Sequence, residues 1–192
     1  MQSVEIFGKA SVAFSIVVET DLESPALVAA REALLGRAMG RNWKKKSSQK
    51  LRRGRRPSEG LAFVARDEAG TLVGTVRLWD VATGDGRPAL LLGPLAVDPS
   101  LKYAGIGKAL MAQAIAEGKR LGHGAILLVG DAPYYARFGF SAEKTGMLSM
   151  PGPYERDRFL GLELVEGALD GAHGVLKTSG RKAKTPRLAQ AA

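Results

Sequence analysis

Apolar and polar positions along the chain alternate between two periods. Residues 14–18, Phe-Ser-Ile-Val-Val, step by two and predict a strand. Ser24-Pro25 then opens a helix to about Met39, with Leu27, Ala30, Ala33, Leu34 and Ala38 on one face and Gly40 as its stop. Residues 61–66 and 71–80 predict two strands joined by the turn Asp67-Glu68-Ala69-Gly70. Gly84-Asp85-Gly86 turns the chain again, into a strand over 88–97. The continuous apolar run 126–129 suits a strand buried on both faces. A helix from Gly105 to Leu121 lies between, its apolar stripe being Leu110, Met111, Ala114, Ile115, Gly118 and Leu121, with Gly122 as its cap. Asp131-Ala132-Pro133 starts a brief helix with Asp131 as N-cap, and Phe138-Gly139-Phe140 ends it and enters another strand. Residues 159–165 and 175–176 are the last strand candidates. Strand, crossover helix and strand within about 40 residues make one parallel βαβ unit. Together these elements predict a single α/β domain with a mixed sheet.

The chemistry concentrates where the 88–97 strand ends. Asp98-Pro99 stops it, a short polar turn follows, and Gly105 and Gly107 open the helix between Lys102 and Lys108. The first turn of a helix offers unpaired N–H groups and the positive end of its dipole, and glycine lets an anion come close to them. The turn therefore points to a phosphorylated cofactor, with glycines placed merely for packing as the plainer alternative. A Walker A loop fails at Lys102 and Ala109, and a dinucleotide fingerprint fails at Leu110.

Lys102-x-x-Gly105-x-Gly107 after Ala-Val-Asp-Pro resembles the acetyl-CoA pyrophosphate motif of the GNAT superfamily of N-acetyltransferases, in which Gln or Arg usually stands where this chain has Lys102. Tyr134-Tyr135-Ala136-Arg137-Phe138-Gly139-Phe140 resembles the Tyr-x-x-x-Gly-Phe element of the same superfamily, in the form found in one bacterial subgroup. The Tyr four residues before Gly139 is Tyr135. Read without the resemblance, Tyr134 and Tyr135 are core aromatics with their hydroxyls at the surface. The resemblance covers residues 12–176. It implies a GNAT-like acyl-CoA N-acyltransferase fold, with a central mixed, mostly antiparallel sheet, one parallel βαβ unit and flanking helices. Residues 1–11 are then expected to be an N-terminal leader and 177–192 a basic, disordered tail.

Charge is unevenly spread. The chain has 28 basic and 19 acidic residues, yet residues 41–56 hold nine basic and no acidic ones, and 177–192 hold five and none. The segment 41–56 reads either as a solvated second helix, with Ser47 or Ser48 as cap, Leu51 inward and Gly54 as stop, or as a surface for nucleic-acid phosphates. The resemblance favours the first, because the loop between the first two helices lines the acceptor site in that family. Trp43 alone is too little aromatic surface for base stacking. The absence of cysteine excludes disulfides, thiolate metal sites and a Cys nucleophile. His123 and His173 have no ligand spacing, so no metal is expected. Residues 10–18 run into Glu19 and Asp21 without a small-residue cleavage site, and no run reaches membrane-spanning length. A cytoplasmic monomer or homodimer, not bound to membrane, is the expectation.

The resemblance also implies a mechanism. Acetyl-CoA is the co-substrate and a small-molecule or peptide amine the acceptor. The pyrophosphate sits on the turn Lys102, Tyr103, Ala104, Gly105, Ile106, Gly107, Lys108. A backbone N–H within Leu95, Ala96 and Val97 stabilises the oxyanion, on a strand whose irregularity is expected at Gly93-Pro94. Tyr135 is the acid for the leaving thiolate. Many relatives carry a basic Glu on the strand before the turn. Here residues 90–97 hold no acid, leaving Asp80, Asp98 and Glu155 nearby. The second reading is a basic adaptor or nucleic-acid-associated module on the same fold, binding CoA with little catalysis.

Overall fold

The computed structural model describes residues 13–20, 24–40 and 42–183. The expected leader 1–11 and residues 184–192 of the expected tail lie outside them. In chain order the elements are β1 (Phe14–Val18), α1 (Pro25–Met39), α2 (Gln49–Arg52), β2 (Ala62–Asp67), β3 (Leu72–Ala82), β4 (Pro88–Val97), α3 (Ile106–Arg120), β5 (Ala125–Val129), α4 (Ala132–Ala136), β6 (Met147–Ser149), β7 (Phe159–Glu163), β8 (His173–Val175) and β9 (Lys177–Thr178).

The main sheet runs β1-β2-β3-β4-β5-β7, with β9 added to the end of β3. Its neighbours are antiparallel except β4 and β5, the parallel pair bridged by α3. This is the mixed, mostly antiparallel sheet with one βαβ unit that the resemblance implies. The β2–β3 hairpin closes as expected: Gly70 N–H donates to the Asp67 carbonyl, and the Thr71 amide to Asp67 Oδ1. A separate parallel pair, β6 with β8, packs outside the main sheet.

Side-chain alternation sends successive residues to opposite faces. Leu78, Leu90 and Ile126 turn to one face, under Leu110 and Met111 of α3. Trp79, Leu91 and Leu127 turn to the other, beside Leu51 of α2 and Leu148. A fully buried Leu or Met stabilises the fold by about 1.5–3 kcal/mol, so both layers hold the sheet in place. The phosphate turn therefore opens on the α3 side of the sheet, and α1 and α2 cover the opposite side. None of the helices among the described residues is long and apolar enough to cross a membrane.

Four local expectations are corrected. The inward face of α1 is Arg31, Leu34 and Leu35, whereas Ala30 and Ala33 are exposed. Small alanines leave the stripe undefined, and a buried ion pair drawn from Arg31 sets the rotation instead. Leu121 lies past the end of α3 and is exposed, because the chain has already turned away. That turn is a Schellman cap: His123 N–H donates to the Gly118 carbonyl and Gly122 N–H to that of Lys119. No strand follows Phe140; only Ser141 bridges to Gly161 before the chain coils toward β6. Residues 177–183 are ordered. β9 pairs with Val81 and Ala82, and the residues beyond it dock on 54–56, where Arg56 N–H donates to the Arg181 carbonyl.

Candidate active site

The phosphate turn is built by Asp98. Its Oδ1 accepts from the Ser100 amide at 3.1 Å and hydroxyl at 2.8 Å, and Oδ2 accepts from Arg37 Nη2 at 2.8 Å. These bonds, Ser100 first and Arg37 second, hold the carboxyl below its ordinary range. Asp98 is thus occupied in shaping the turn and is a poor proton acceptor. Gly105 is the N-cap of α3 at φ 83°, a left-handed conformation, and a Cβ built there would meet nothing within 4 Å. The N–H groups of residues 105–108 find no acceptor among the described residues. Lys102 and Lys108 are both exposed beside them.

The floor of the site is a gap in the sheet. β4 and β5 pair only at Leu90 with Ile126 and Leu91 with Leu127, although β4 continues to Val97. Beyond Leu91 the edge of β4 that faces β5, through Leu95, Ala96 and Val97, has no strand on it. The register against β3 slips where Gly93-Pro94 oppose Arg77, which is the irregularity the sequence predicts. Trp79 Nε1 donates to the Gly93 carbonyl at 2.6 Å and pins the bulge.

The short helix α4 spans from the turn to the end of β5. Asp131 is its N-cap as expected, though its side chain makes no capping bond; its carbonyl accepts from Tyr134 and Tyr135. The two tyrosine rings meet edge to face, with centroids 5.0 Å apart and an interplanar angle of 87°. Tyr135 lies on Gly130, where a built Cβ would come within 2.2 Å of the ring, and against Phe140. Burial, then the neighbouring Tyr134 and Asp131, push its hydroxyl up to about 12. Tyr134 reaches the other way. Its Oη sits 3.0 Å from the position of a Cβ on Gly107, in the first turn of α3, and Arg137 stacks on its ring at 4.7 Å. Gly107 therefore accommodates Tyr134 as well as leaving the turn open.

On the opposite face a cavity of about 240 Å³ opens beside Pro94, between α1, α2 and β3. Glu19, whose side chain is wholly buried, anchors its wall by bonding Arg31 at 2.6 Å and Arg77 Nε at 3.0 Å. Burial pulls the Arg77 guanidinium down, and the Glu19 carboxylate opposes that shift. Arg52 Nε donates to the Ser48 carbonyl at 3.1 Å and its Nη2 to Ser48 Oγ. Burial pulls Arg52 down to about 10. A second cavity, of about 170 Å³, lies on the far side of Ser48 and is lined by Lys46, Val129, Tyr154 and Arg158. Residues 43–53 thus straddle the mouth of the gap, from Pro94 of β4 to Val129 of β5.

The residues expected to bind the cofactor, 95–97 and 102–108, lie on the end of β4 and the turn that follows it, and Tyr135 lies on α4, just after β5. The expected acids do not converge there. Asp98 is held by Ser100 and Arg37, and Glu155 is exposed and paired with Arg158 at 3.3 Å. Asp80 is half-buried on β3, where its carbonyl accepts from Ser179 and Gly180. Glu19, Glu32, Arg31 and Arg77 have no functional place in the sequence-based expectation, and Arg52 enters it only as a member of the basic run. Charges set within apolar runs, Arg77 between Val76 and Leu78 and Arg31 on the inward side of α1, were the available signal.

Residues 58–142 match the family model described as an acetyltransferase (GNAT) domain. The uncharacterized N-acetyltransferase YhbS of Escherichia coli (strain K12) is 28% identical over 166 residues, covering 84% of this chain and 94% of that protein. A mycothiol acetyltransferase of Propionibacterium freudenreichii subsp. shermanii is 42% identical over 89 residues, 43% of this chain and 28% of that one. The crystal structure of Escherichia coli YhbS in complex with CoA has a TM-score of 0.71 at 25% identity, covering 90% of this chain and 93% of that chain. A GNAT family acetyltransferase from Brucella melitensis in complex with acetyl-CoA shares the fold, with a TM-score of 0.55 at 24% identity over 82% of this chain and 99% of that chain.

Proposed function

We propose that this chain, an N-acetyltransferase belonging to the GNAT superfamily, moves the acetyl group of acetyl-CoA directly onto a primary amine that enters from the α1–α2 face. One observation carries the reading. β4 parts from β5 beyond Leu91, and the stretch left uncovered runs from Pro94, which lines a cavity walled mainly by charged side chains, to the turn of unpaired amides at the strand's end. A two-substrate transfer needs that geometry, because donor and acceptor must meet end to end at one point. Acetyl-CoA supplies the activated thioester. The amides of residues 105–108 hold its pyrophosphate, with Lys102 and Lys108 as flanking cations. The free edge of Leu95, Ala96 and Val97 hydrogen-bonds the pantetheine arm as a strand would. A backbone N–H of the same stretch donates to the acetyl oxygen as it becomes negative.

The acceptor enters as an ammonium and first loses a proton to solvent, since its lone pair must be free. The nitrogen then attacks the acetyl carbon, the C–N bond forms and the C–S bond breaks. Tyr135 passes its hydroxyl proton to the departing sulfur and regains one, through water, from the acylated nitrogen. The sum is an N-acetyl product, CoA thiol and one proton released. The basic segment serves the acceptor side in this reading. Its Ser48, Leu51 and Arg52 are buried over the sheet, and Arg55 bonds the Gly180 carbonyl at 2.7 Å, so these two cations of the run are turned into the fold rather than toward a nucleic acid.

The test is calorimetry with CoA, followed by an assay of CoA thiol released over a panel of amines. Wild type is expected to bind CoA. Gly105→Val, which forces a branched residue into a left-handed conformation and obstructs the turn, is expected to lose about 100-fold or more in affinity. Equal affinity in both proteins would overturn the site.

A further inference from the structure

We propose that the acceptor is a small primary amine that also carries a carboxylate, and that Arg52 binds that carboxylate in the cavity beside the β4 bulge. This rests on the acetyl-transfer reading above for the identity of the site.

Arg52 is the observation that remains unexplained by folding. It is 9% exposed, and its guanidinium lies 3.8–4.0 Å from where a Cβ on Gly93 would stand, directly over the bulge. Its partners are the carbonyl and hydroxyl of Ser48, and no carboxylate among the described residues pairs with it. A cation removed from water without a counter-charge costs several kcal/mol. That cost is tolerable in a fold when an anion from outside completes the site. The two bonds to Ser48 use two of five N–H donors, which leaves both hydrogens of Nη1 and one of Nη2. That free edge of the fork matches the two oxygens of a carboxylate.

The surroundings agree. Arg31 and Arg77 share the single carboxylate of Glu19, Lys44 is matched by Glu32, and Arg53 also lines the cavity, so its wall carries an excess of positive charge. At about 240 Å³ the space falls below the ~300–1,000 Å³ of drug-sized pockets, which suits a small metabolite. Trp43 and Trp79 supply apolar wall for the carbon chain between amine and acid. The same cations favour the neutral form of the acceptor amine, because nearby positive charge lowers an ammonium pKa. Acceptor recognition and deprotonation thus share one cause, in a site whose β4 strand brings no acid.

The experiment compares matched amines in the CoA thiol assay: β-alanine with β-alaninamide, 4-aminobutyrate with 4-aminobutanamide, and glycine with glycinamide. The expected result is a kcat/KM about tenfold or more higher for the acid of the preferred pair, the worth of a hydrogen-bonded charge. Arg52→Met should erase that preference by raising the acid's KM at least tenfold more than the amide's, and Arg52→Lys should restore part of it. Amides acetylated as well as acids in wild type would overturn the proposal. So would an equal loss on both in Arg52→Met, which would place Arg52 at the acetyl oxygen, and so would preference for a peptide amine without a nearby acid.

A second readout needs no turnover. Trp43 and Trp79, the only two tryptophans of the chain, both line this cavity. Tryptophan fluorescence titrated with the N-acetyl derivatives of the same three acids should saturate in wild type and stay flat in Arg52→Met. Saturation without any acetyl transfer would uphold the carboxylate site while overturning the acetyltransferase reading. A linear, identical decrease in both proteins would overturn the carboxylate site whatever the assay shows.

Discussion

The turn after β4 and the cationic cavity beside Pro94 lie at the two ends of the β4 stretch that β5 leaves uncovered, and they are made of different material. At the turn, the binding groups are backbone amides of consecutive residues, 105–108, shaped by Asp98 and a left-handed Gly105. In the cavity they are side chains from α1, α2 and β3, with Arg31 and Arg77 held by Glu19, the residue after β1. A backbone site is local, contiguous and tolerant of its surroundings. A side-chain site borrows each group from a different element and depends on the fold to assemble them. The cofactor end can therefore stay constant while the acceptor end varies with a few substitutions.

The largest effect should come from breaking the side-chain end. Glu19→Gln leaves Arg31 and Arg77 buried with no counter-charge, and removing one partner of such a buried network costs about 3–5 kcal/mol. Urea unfolding should show the loss, while the protein that remains folded binds CoA as before. A change below 1 kcal/mol, the worth of an exposed pair, would mean that the cavity wall is solvated rather than built.

Next comes the helix that joins the two ends. Tyr135→Phe should lower kcat by about 10²-fold, the lower end for a general acid, because a thiolate already leaves well. CoA affinity should be unchanged. With its hydroxyl pushed up to about 12, Tyr135 is protonated throughout the neutral range and is lost as a donor only as pH rises through that value. The variant should therefore lower the pH–rate profile without changing its shape near neutrality. Tyr134→Phe should leave kcat intact and raise the KM for acetyl-CoA, since its hydroxyl lies on the first turn of α3. The reverse pattern would exchange the roles of the two tyrosines.

The smallest effect separates the ends by charge. Replacing Lys44, Lys45 and Lys46 together by Gln should leave CoA affinity unchanged and shift the acceptor KM, because Lys44 and Lys46 line the two acceptor-side cavities. Wild type should not bind oligonucleotides at low salt. Retention that falls linearly in log salt would instead make the segment a nucleic-acid surface.

What the sequence determined by itself is whatever depends on neighbouring residues. Strand period, the β2–β3 turn, the caps of α3 and the Gly105–Gly107 turn each follow from conformational preferences acting over a few positions, and the bulge follows from Gly93-Pro94 within an apolar run. The tertiary structure decided what depends on distance. Arg31 and Arg77 were legible as misplaced charges, but their common partner Glu19 sits just past the end of β1, at separations of 12 and 58 residues. Arg52 read as one more member of a basic run, and only the packing of α2 over Gly93 makes it a buried cation facing a cavity. Residues 177–183 read as tail because their composition is polar, yet β3 extends past the end of β2 and offers them an open edge. Local preferences act along the chain at short range, whereas burial and charge pairing are properties of the assembled surface, and the acceptor end of this site is made of those.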